Sequence, residues 1–275
     1  MMKILIILGG ESYTHPPVLM GKLISGAVTG SVDILVVIPK GGHREDSQAV
    51  AQQASLDLGV TPNRILIEEG DTPAVIKGVI DKDDYELIIV NADRILHLRK
   101  TVEIEPILIK QSEISLLVTQ NIKPKIDRIL LCTACNEDDH SLIYQASRLA
   151  ASLKARITML HVCGGAVPTM YTGLDQIDET VEELLQTDSY YAQHLRKGVE
   201  ILNENQIDSE VKIRRGIPLE EVVRETQSVN YDLVVIGSSA VNRGIKEMLL
   251  GNLTIKIVDR VELPVLIVGS REMEP

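Results

Sequence analysis

The sequence predicts an α/β protein made of two tandem copies of one small domain, and three observations lead to this prediction. Short apolar, β-branched runs alternate with longer amphipathic stretches, the series of runs starts again after Pro124, and the spacing within the two series agrees. Continuous apolar strands separated by helices are typical of a parallel sheet covered on both faces. Each copy is therefore expected to be a five-stranded parallel sheet flanked by helices.

The strands expected in the first copy are KILIIL, VDILVVI, NRILIEE, YELIIVN and residues 114–119. The second copy repeats them as DRILLCT, ARITMLHV, EVKIRRG, YDLVVIG and PVLIVG. In each copy a glycine ends the third strand and a helix opens at once. Gly70 lies 15 residues before Tyr85, and Gly216 lies 15 residues before Tyr231. This equal spacing aligns the sequences of the two copies.

The polar segment NIKPK separates the two copies, because Pro124 stops a helix. We therefore predict one domain over residues 1–123 and a second over residues 124–275. Most of the extra length of the second domain lies in residues 164–186, which are expected to form a loop over the sheet edge, followed by a helix that ends near Asn203. The fifth strands are expected to be sheet edges that pair with each other within the chain and give a pseudo-two-fold.

Composition and charge exclude several classes of function. The formal net charge of -11 and the pI near 5.1 oppose binding to a polyphosphate backbone, and no run of Lys or Arg offsets them. No apolar segment approaches the roughly 20 residues that cross a bilayer, and the start of the chain lacks the pattern of a secretion signal. The odd number of cysteines, 3, favours a reducing compartment. We therefore expect a cytoplasmic protein whose partners include neither nucleic acid nor a membrane.

The second copy resembles a universal stress protein domain in RILLCTA, TMLHV, RRGIPLEEVV, YDLVVIGSSA and, most specifically, GIKEMLLGNLTIKIVDRVELPVLIVG. The first copy resembles the same domain in KILIILGG, GDTPAVI and ELIIVNA. This resemblance implies a tandem universal stress protein with Rossmann-like domains of the adenine nucleotide alpha hydrolase-like type. It also implies a role in the stress response, and pairing of the two domains within the chain or of two chains in a homodimer.

The resemblance further implies where ATP or AMP would bind. Nucleotide-binding members of the family have a G-x-x-G, nine further residues, G-[S/T] pattern after the fourth strand, and contacts to the base from the ends of the first two strands. The residues at the corresponding positions here are Ala134, Val162, Gly237, Ser238, Ala240, Gly251, Asn252 and Leu253.

Several of these positions depart from the family pattern. Ala240 or Val241 replaces the second glycine, the spacing to Gly251 is one residue longer, and Asn252 replaces Ser or Thr. Where nucleotide-binding members have an aspartate at the end of the first strand, the second copy has Ala134 and the first has Gly9. In the first copy NADRILHLRKTVEIEPIL replaces the whole glycine loop, so this copy is expected to be degenerate and structural.

The residues leave two functions open. The backbone N–H groups of Gly237, Ser238 and Gly251 could approach a phosphate closely, but Asn252 is equally well explained as a helix cap. The protein is then either a nucleotide-binding sensor or a binding and assembly module that has lost the nucleotide, and the departures favour the module. An enzyme of the adenine hydrolase or electron-transfer type is a third class, which a fold alone does not establish. Since no nucleophile–base set or carboxylate pair stands out, weak or no ATP hydrolysis is expected.

Three cysteines and a histidine allow a second kind of site. Cys132 and Cys135 form C-x-x-C, and Cys163 ends the neighbouring strand near His161. A soft metal site or a redox pair is one interpretation. Packing is the favoured one, because a metal site needs about four convergent donors and Cys132 lies in a buried strand. His161 is expected to be a strand-end histidine with a satisfied hydrogen bond.

An acidic cluster follows the first strand of the second copy. It consists of Glu137, Asp138, Asp139 and His140. Such a cluster could chelate a hard cation. Acids directly before a helix more often complement its dipole and cap it, and this is the interpretation we favour.

Overall fold

The computed structural model describes residues 2–39, 41–92, 114–135, 139–163, 185–238 and 253–269. Its strands are β1 (Met2–Gly9), β2 (Gly30–Ile38), β3 (Arg64–Glu69), β4 (Leu87–Asn91), β5 (Ser115–Thr119), β6 (Arg128–Thr133), β7 (Arg156–Cys163), β8 (Ser209–Arg215), β9 (Leu233–Gly237) and β10 (Val265–Val268). Its helices are α1 (His15–Ala27), α2 (Arg44–Leu58), α3 (Thr72–Ile80), α4 (Asp139–Leu153), α5 (Tyr190–Glu204), α6 (Pro218–Ser228) and α7, which is helical over 253–260. None of the helices in these ranges is long and apolar enough to span a membrane.

The described strands form one ten-stranded sheet in the order β3-β2-β1-β4-β5-β10-β9-β6-β7-β8. Neighbouring strands within each half are parallel, whereas β5 and β10 are antiparallel, with Leu117 opposite Leu266. The strand order of the first half therefore repeats outward from this seam in the second half, as a pseudo-two-fold requires. The expected pairing of the two fifth strands is confirmed.

Two apolar cores lie on opposite faces of this sheet. The first core packs α1, α2, α4 and α5 against side chains such as Ile6 and Leu131, and the second packs α3, α6 and α7 against side chains such as Leu5 and Leu130. Both cores continue across the seam, since Leu117 and Leu266 belong to the first core and Val118 to the second. Apolar packing on both faces of the sheet therefore joins the two halves.

Local sequence signals explain where several helices begin. The Asp71 side chain accepts a hydrogen bond from the backbone N–H of Ala74 at the start of α3, and Ser189 caps α5 in the same way. The glycines that end β3 and β8 have positive φ, 152° at Gly70 and 149° at Gly216. The expected glycine turns are therefore present in both halves. The helix expected to end near Asn203 is α5, whereas residues 164–184 of the expected loop lie outside the described residues.

The segment between the two halves forms hydrogen bonds and an ion pair with the second half. The Gln120 side-chain amide donates a hydrogen bond of 2.9 Å to the backbone carbonyl of Leu263. The Lys123 ammonium lies 2.6 Å from the Asp232 carboxylate, whose other oxygen accepts from the backbone N–H of Arg128 at 2.9 Å. Residues at the end of the predicted first domain therefore help to hold the second. The boundary between residues 123 and 124 stays a prediction.

Replacing Leu117 with Ala tests the seam. Leu117 is fully buried between the halves, so the variant should lower the free energy of unfolding by about 2–5 kcal/mol, measured by urea unfolding of the full chain. Leu56→Ala is the matched control, because Leu56 lies on α2 and is 68% exposed; it should change the free energy by less than about 0.5 kcal/mol. Equal effects of the two variants would contradict the buried seam.

Candidate functional site

The candidate site lies at the carboxyl edge of the second half, where the chain connections diverge. β6 continues into α4 on the face of the first core, whereas β9 is followed by α7 on the face of the second core. β6 and β9 are neighbours in the sheet. A crevice outside the carboxyl ends of two such strands is where open α/β sheets bind ligands.

The sheet register brings the ends of three strands together at this crevice. Thr133, the last residue of β6, pairs with His161 of β7. Thr133 also lies two residues beyond the Leu131–Val235 pair, which places it level with Gly237 at the end of β9. The sequence-predicted residues at the ends of β6, β7 and β9 are therefore close neighbours.

The predicted site residues differ in their exposure. Ala134 is exposed, Val162 and Gly237 are half-buried, and Ser238 is only 6% exposed. Leu253 opens the described part of α7 and packs against the second core. Ala240, Gly251 and Asn252 lie outside the described residues. Ala134 offers no carboxylate to a base or ribose, so a ligand here would depend on backbone groups and on the walls of the crevice.

His161 brings a polar atom to this edge that the sequence did not reveal. The residue is 3% exposed, and its Nδ1 lies 3.1 Å from the backbone carbonyl of Thr133. Because a carbonyl only accepts, Nδ1 carries the proton and donates, which confirms the expected hydrogen bond of a strand-end histidine. Nε2 is then an acceptor, and it is buried with no hydrogen-bond partner among the described residues. Burial lowers the pKa of His161, so the ring stays neutral at pH 7.

An aromatic cluster covers His161 from the start of α5. The Tyr191 ring lies 5.5 Å from the His161 ring, and Tyr190 lies 4.9 Å from His194, which in turn stacks on His140 at 4.5 Å. Tyr190 and Tyr191 are about half exposed, at 54% and 50%. The sequence signal for this cluster was the i, i+4 spacing of Tyr190 and His194 on one helix. The spacing does not show which strand end this helix covers, because His161 is distant in sequence from Tyr190 and Tyr191.

The corresponding edge of the first half is closed. The Ser47 hydroxyl of α2 donates a hydrogen bond of 3.1 Å to the backbone carbonyl of Gly10. A Cβ atom built on Gly10 would lie 2.3 Å from that hydroxyl oxygen, so α2 fills the space beside the end of β1. At the end of β4, Asn91 and Ala92 are 7% and 4% exposed. The two halves thus differ at the edge where their sequences diverge.

The three cysteines are free thiols, at the carboxyl ends of β6 and β7. No group of three or more His, Cys, Asp or Glu side chains within the described ranges is arranged to hold a metal ion. Of the acidic cluster, Asp139 lies in the first turn of α4, where it complements the helix dipole, whereas Glu137 and Asp138 fall outside those ranges.

A tyrosine anchors a buried carboxylate in the first half, towards the amino ends of the strands. Tyr85 donates to Asp33 at 2.8 Å, Asn63 donates to the other oxygen at 2.8 Å, and the Arg64 guanidinium donates at 2.6 Å. Burial alone raises the pKa of Asp33, but the hydrogen bonds from Arg64, Asn63 and Tyr85 outweigh it and hold the pKa below its ordinary value. Asp33 is therefore ionised and fully neutralised by its partners.

The second half contains an equivalent network around Glu225 of α6. Tyr231 donates to Glu225 at 2.8 Å, Lys212 donates at 3.1 Å, and the Arg214 Nε donates at 2.9 Å. Burial raises the pKa of Glu225, and the hydrogen bonds from Arg214, Tyr231 and Lys212 overcome this and lower it. The Asp33 network lies towards the amino ends of the strands, whereas the Glu225 network reaches the carboxyl end of β8, where Arg214 pairs with Val162.

Comparison with known proteins identifies a family and several relatives. The model of the universal stress protein family matches residues 125–269, more than half of the chain. Stress response protein NhaX of Bacillus subtilis (strain 168) is 34% identical over 68 residues, which are 25% of this chain and 40% of NhaX, so the match spans less than half of that relative. Universal stress protein YxiE of the same organism is 28% identical over 132 residues, 45% of this chain and 85% of YxiE.

Solved structures match nearly the whole chain. A protein named for the universal stress family from Pseudomonas aeruginosa UCBPP-PA14 superposes with a TM-score of 0.68 at 18% identity, covering 97% of this chain and 92% of that one. A universal stress protein from Archaeoglobus fulgidus DSM 4304 gives a TM-score of 0.65 at 14% identity, with 96% of each chain covered. At these identities the likeness shows the fold alone, and it extends across both halves.

The Glu225 network predicts a specific loss of stability in acid. Because the folded pKa lies below the ordinary value of about 4.3, the network stabilises the protein fully above that pH, and the stabilisation is lost as the pH falls through the folded pKa. Glu225→Gln should lower the free energy of unfolding at pH 7 by about 3 kcal/mol and should reduce the further loss between pH 7 and pH 3. Urea unfolding at the two pH values measures both effects.

The control for this variant is Glu200→Gln. Glu200 lies on α5 in an ion pair with Lys197 whose side chains are 56% and 49% exposed. This change should alter stability at pH 7 by less than about 0.5 kcal/mol. A Glu225→Gln variant that loses as much stability in acid as the parent protein would show that Glu225 does not carry this pH dependence.

Proposed function

The chain belongs to the universal stress protein family, and from this premise we propose that it acts in the stress response by binding rather than by turnover. We further propose that the second half holds ATP or AMP at the carboxyl edge of β6, β7 and β9. The observation that carries this proposal is the pairing of β6 with β9 at the point where their connections diverge: a half-buried glycine, Gly237, ends one strand and the exposed Ala134 follows the other.

Each part of an adenine nucleotide has a counterpart at this edge. Phosphate oxygens need closely approaching N–H donors, and Gly237 and Ser238 lead the chain out of β9 without a bulky side chain between backbone and ligand. By its place in the sequence pattern, Gly251 would supply further backbone donors. The base needs an apolar wall and room, which fit Val162 and Ala134.

The alternative is a nucleotide-independent binding and assembly module. The observation that favours it is the exposed methyl group of Ala134, at the position where nucleotide-binding members have an aspartate. Without that carboxylate the hydrogen bonds to base or ribose are lost, and each such charge-assisted bond is worth about 1.5–3 kcal/mol. Both candidates are binding functions, and they differ in whether the crevice is filled.

Nucleotide content and calorimetry distinguish the two candidates. Denaturation of the full-length protein should release bound ATP or AMP. After bound small molecules have been removed, titration calorimetry on the full-length protein should show saturable binding of one nucleotide. GTP serves as the control for base selectivity. ATP recovered intact after incubation would support binding without turnover, whereas stoichiometric conversion to ADP would contradict it. No release and no binding heat would leave the assembly module as the function.

Introducing a carboxylate at position 134 provides a second test of the nucleotide site. Ala134→Asp should raise the affinity for ATP about tenfold, equivalent to about 1.4 kcal/mol, because the new carboxylate can accept hydrogen bonds from the ribose or base. Ala134 is exposed, so the fold should tolerate the change. Ser12→Asp is the matched control, an exposed residue on the same edge of the first half, and it should leave the affinity unchanged. A larger gain from Ser12→Asp would place the nucleotide in the first half.

Gly251→Val tests the phosphate side of the same site. A side chain at this position would block close approach of the phosphates, so the variant should abolish nucleotide binding while circular dichroism stays that of the parent. A variant that binds ATP with the parent affinity would remove Gly251 from the site.

A further inference from the structure

We propose that Cys135 and Cys163 form a reversible disulfide that ties the chain after β6 to the end of β7, with a peroxide as the oxidant. The pairing concerns the thiols themselves, and it holds whether or not the crevice binds a nucleotide. It also differs from the C-x-x-C pairing that the sequence suggested.

The ladder between β6 and β7 ends two residues before each of these two cysteines. β6 and β7 are parallel, and Thr133 is the partner of His161. Two residues further along each chain stand Cys135 and Cys163. Neighbouring strands are about 4.8 Å apart, within the range of Cα separations of about 4.4–6.8 Å that a disulfide spans.

The faces of the sheet separate Cys135 from its neighbour in sequence. Cys132 packs against the second core, whereas Cys135 is 4% exposed and belongs to the first core. A disulfide between Cys132 and Cys135 would have to cross the sheet. Along β7, Ile157 and Met159 belong to the first core, and alternation places Cys163 on that same face. Cys135 and Cys163 therefore lie on the same face, and each stands two residues beyond the last pair of the β6–β7 ladder.

The local backbone and the electrostatics of the thiols support their proximity. Cys135 has a φ of 53°, a left-handed conformation that a residue with a Cβ atom seldom adopts, so the chain turns sharply as it leaves β6. Burial raises the pKa of Cys135 to about 12, and among the further groups that raise it are Asp139 and Cys163. The effect of the Cys163 thiol on the pKa of Cys135 agrees with the placement of both residues beyond the paired ends of β6 and β7.

The two thiols have different parts in the oxidation. Cys163 is only partly buried, and although burial raises the pKa of its thiol, the positive charge of Arg215 acts in the opposite direction. Cys163 is therefore the group that attacks the peroxide oxygen. The O–O bond breaks, the Cys163 sulfur takes the OH as a sulfenic acid, and the remaining oxygen leaves as water. The Cys135 sulfur then displaces hydroxide from that sulfur, forming the S–S bond, and its proton completes a second water.

Counting thiols in the full chain tests the pairing. The reduced protein carries 3 free thiols when denatured. Treatment with hydrogen peroxide should remove two of them, and dithiothreitol should restore both. Cys132→Ser should still lose two thiols and run as a monomeric chain on a non-reducing gel. Cys135→Ser and Cys163→Ser should form no intrachain disulfide, and mass spectrometry should find the bond between the peptides that carry residues 135 and 163.

The pH dependence provides a second measurement. Because the thiolate is the reacting species and both pKa values are raised, the rate of thiol loss should rise about tenfold from pH 7 to pH 8. Circular dichroism of each variant, with Cys135→Ala as a second substitution at the buried position, shows that the fold is retained. A disulfide that disappears in Cys132→Ser, a bond between separate chains, or Cys163 oxidised to sulfinic acid with Cys135 still reduced would overturn the proposal.

Discussion

The antiparallel pairing of β5 with β10 is the interaction on which the rest of the structure depends. It uses the strand edges that each half would otherwise expose, and it merges two five-stranded sheets into one of ten strands. Since the two halves run in opposite directions across this seam, their carboxyl edges lie at opposite ends of the molecule. The two carboxyl edges are therefore far apart and can differ freely, because a change at one leaves the packing of the other intact.

The buried carboxylates show how such divergence proceeds without loss of the fold. Tyr85 and Tyr231 occupy equivalent positions before β4 and β9, yet Tyr85 donates to Asp33 of β2 and Tyr231 donates to Glu225 of α6. By register, the residue equivalent to Asp33 is Thr158. The physical requirement is a buried acceptor for the tyrosine hydroxyl with cations around it, and either element can supply it. Both halves contain the tyrosine, whereas the carboxylate that accepts its hydrogen bond comes from a different element in each half.

The strands and their parallel direction within each half follow from apolar periodicity and repeat spacing, and the pairing at the seam follows from the exposed edges of the fifth strands, so these were predictable. The glycine turns at Gly70 and Gly216 were predictable as well, because only a residue without Cβ suits their φ. The faces on which Cys132 and Cys135 lie were not predictable. The chain leaves β6 at Thr133, and a C-x-x-C spacing does not reveal where a strand ends. The contact of Tyr191 with His161 was not predictable either, because Tyr191 lies on a helix that is distant from His161 in sequence.

The asymmetry between the two carboxyl edges explains why a second copy is retained. In the first half, Ser47 and Gly10 close the space beside β1, so that edge gains packing and loses access. In the second half the counterpart of Gly9 is the exposed Ala134, and the neutral ring of His161 at the end of β7 has a buried Nε2 that can only accept a hydrogen bond. Among the described residues, one carboxyl edge is packed and the other keeps an exposed position, and both belong to the same ten-stranded sheet. The first half then acts as a built-in partner, which occupies the strand edge that an isolated domain would have to pair with another copy.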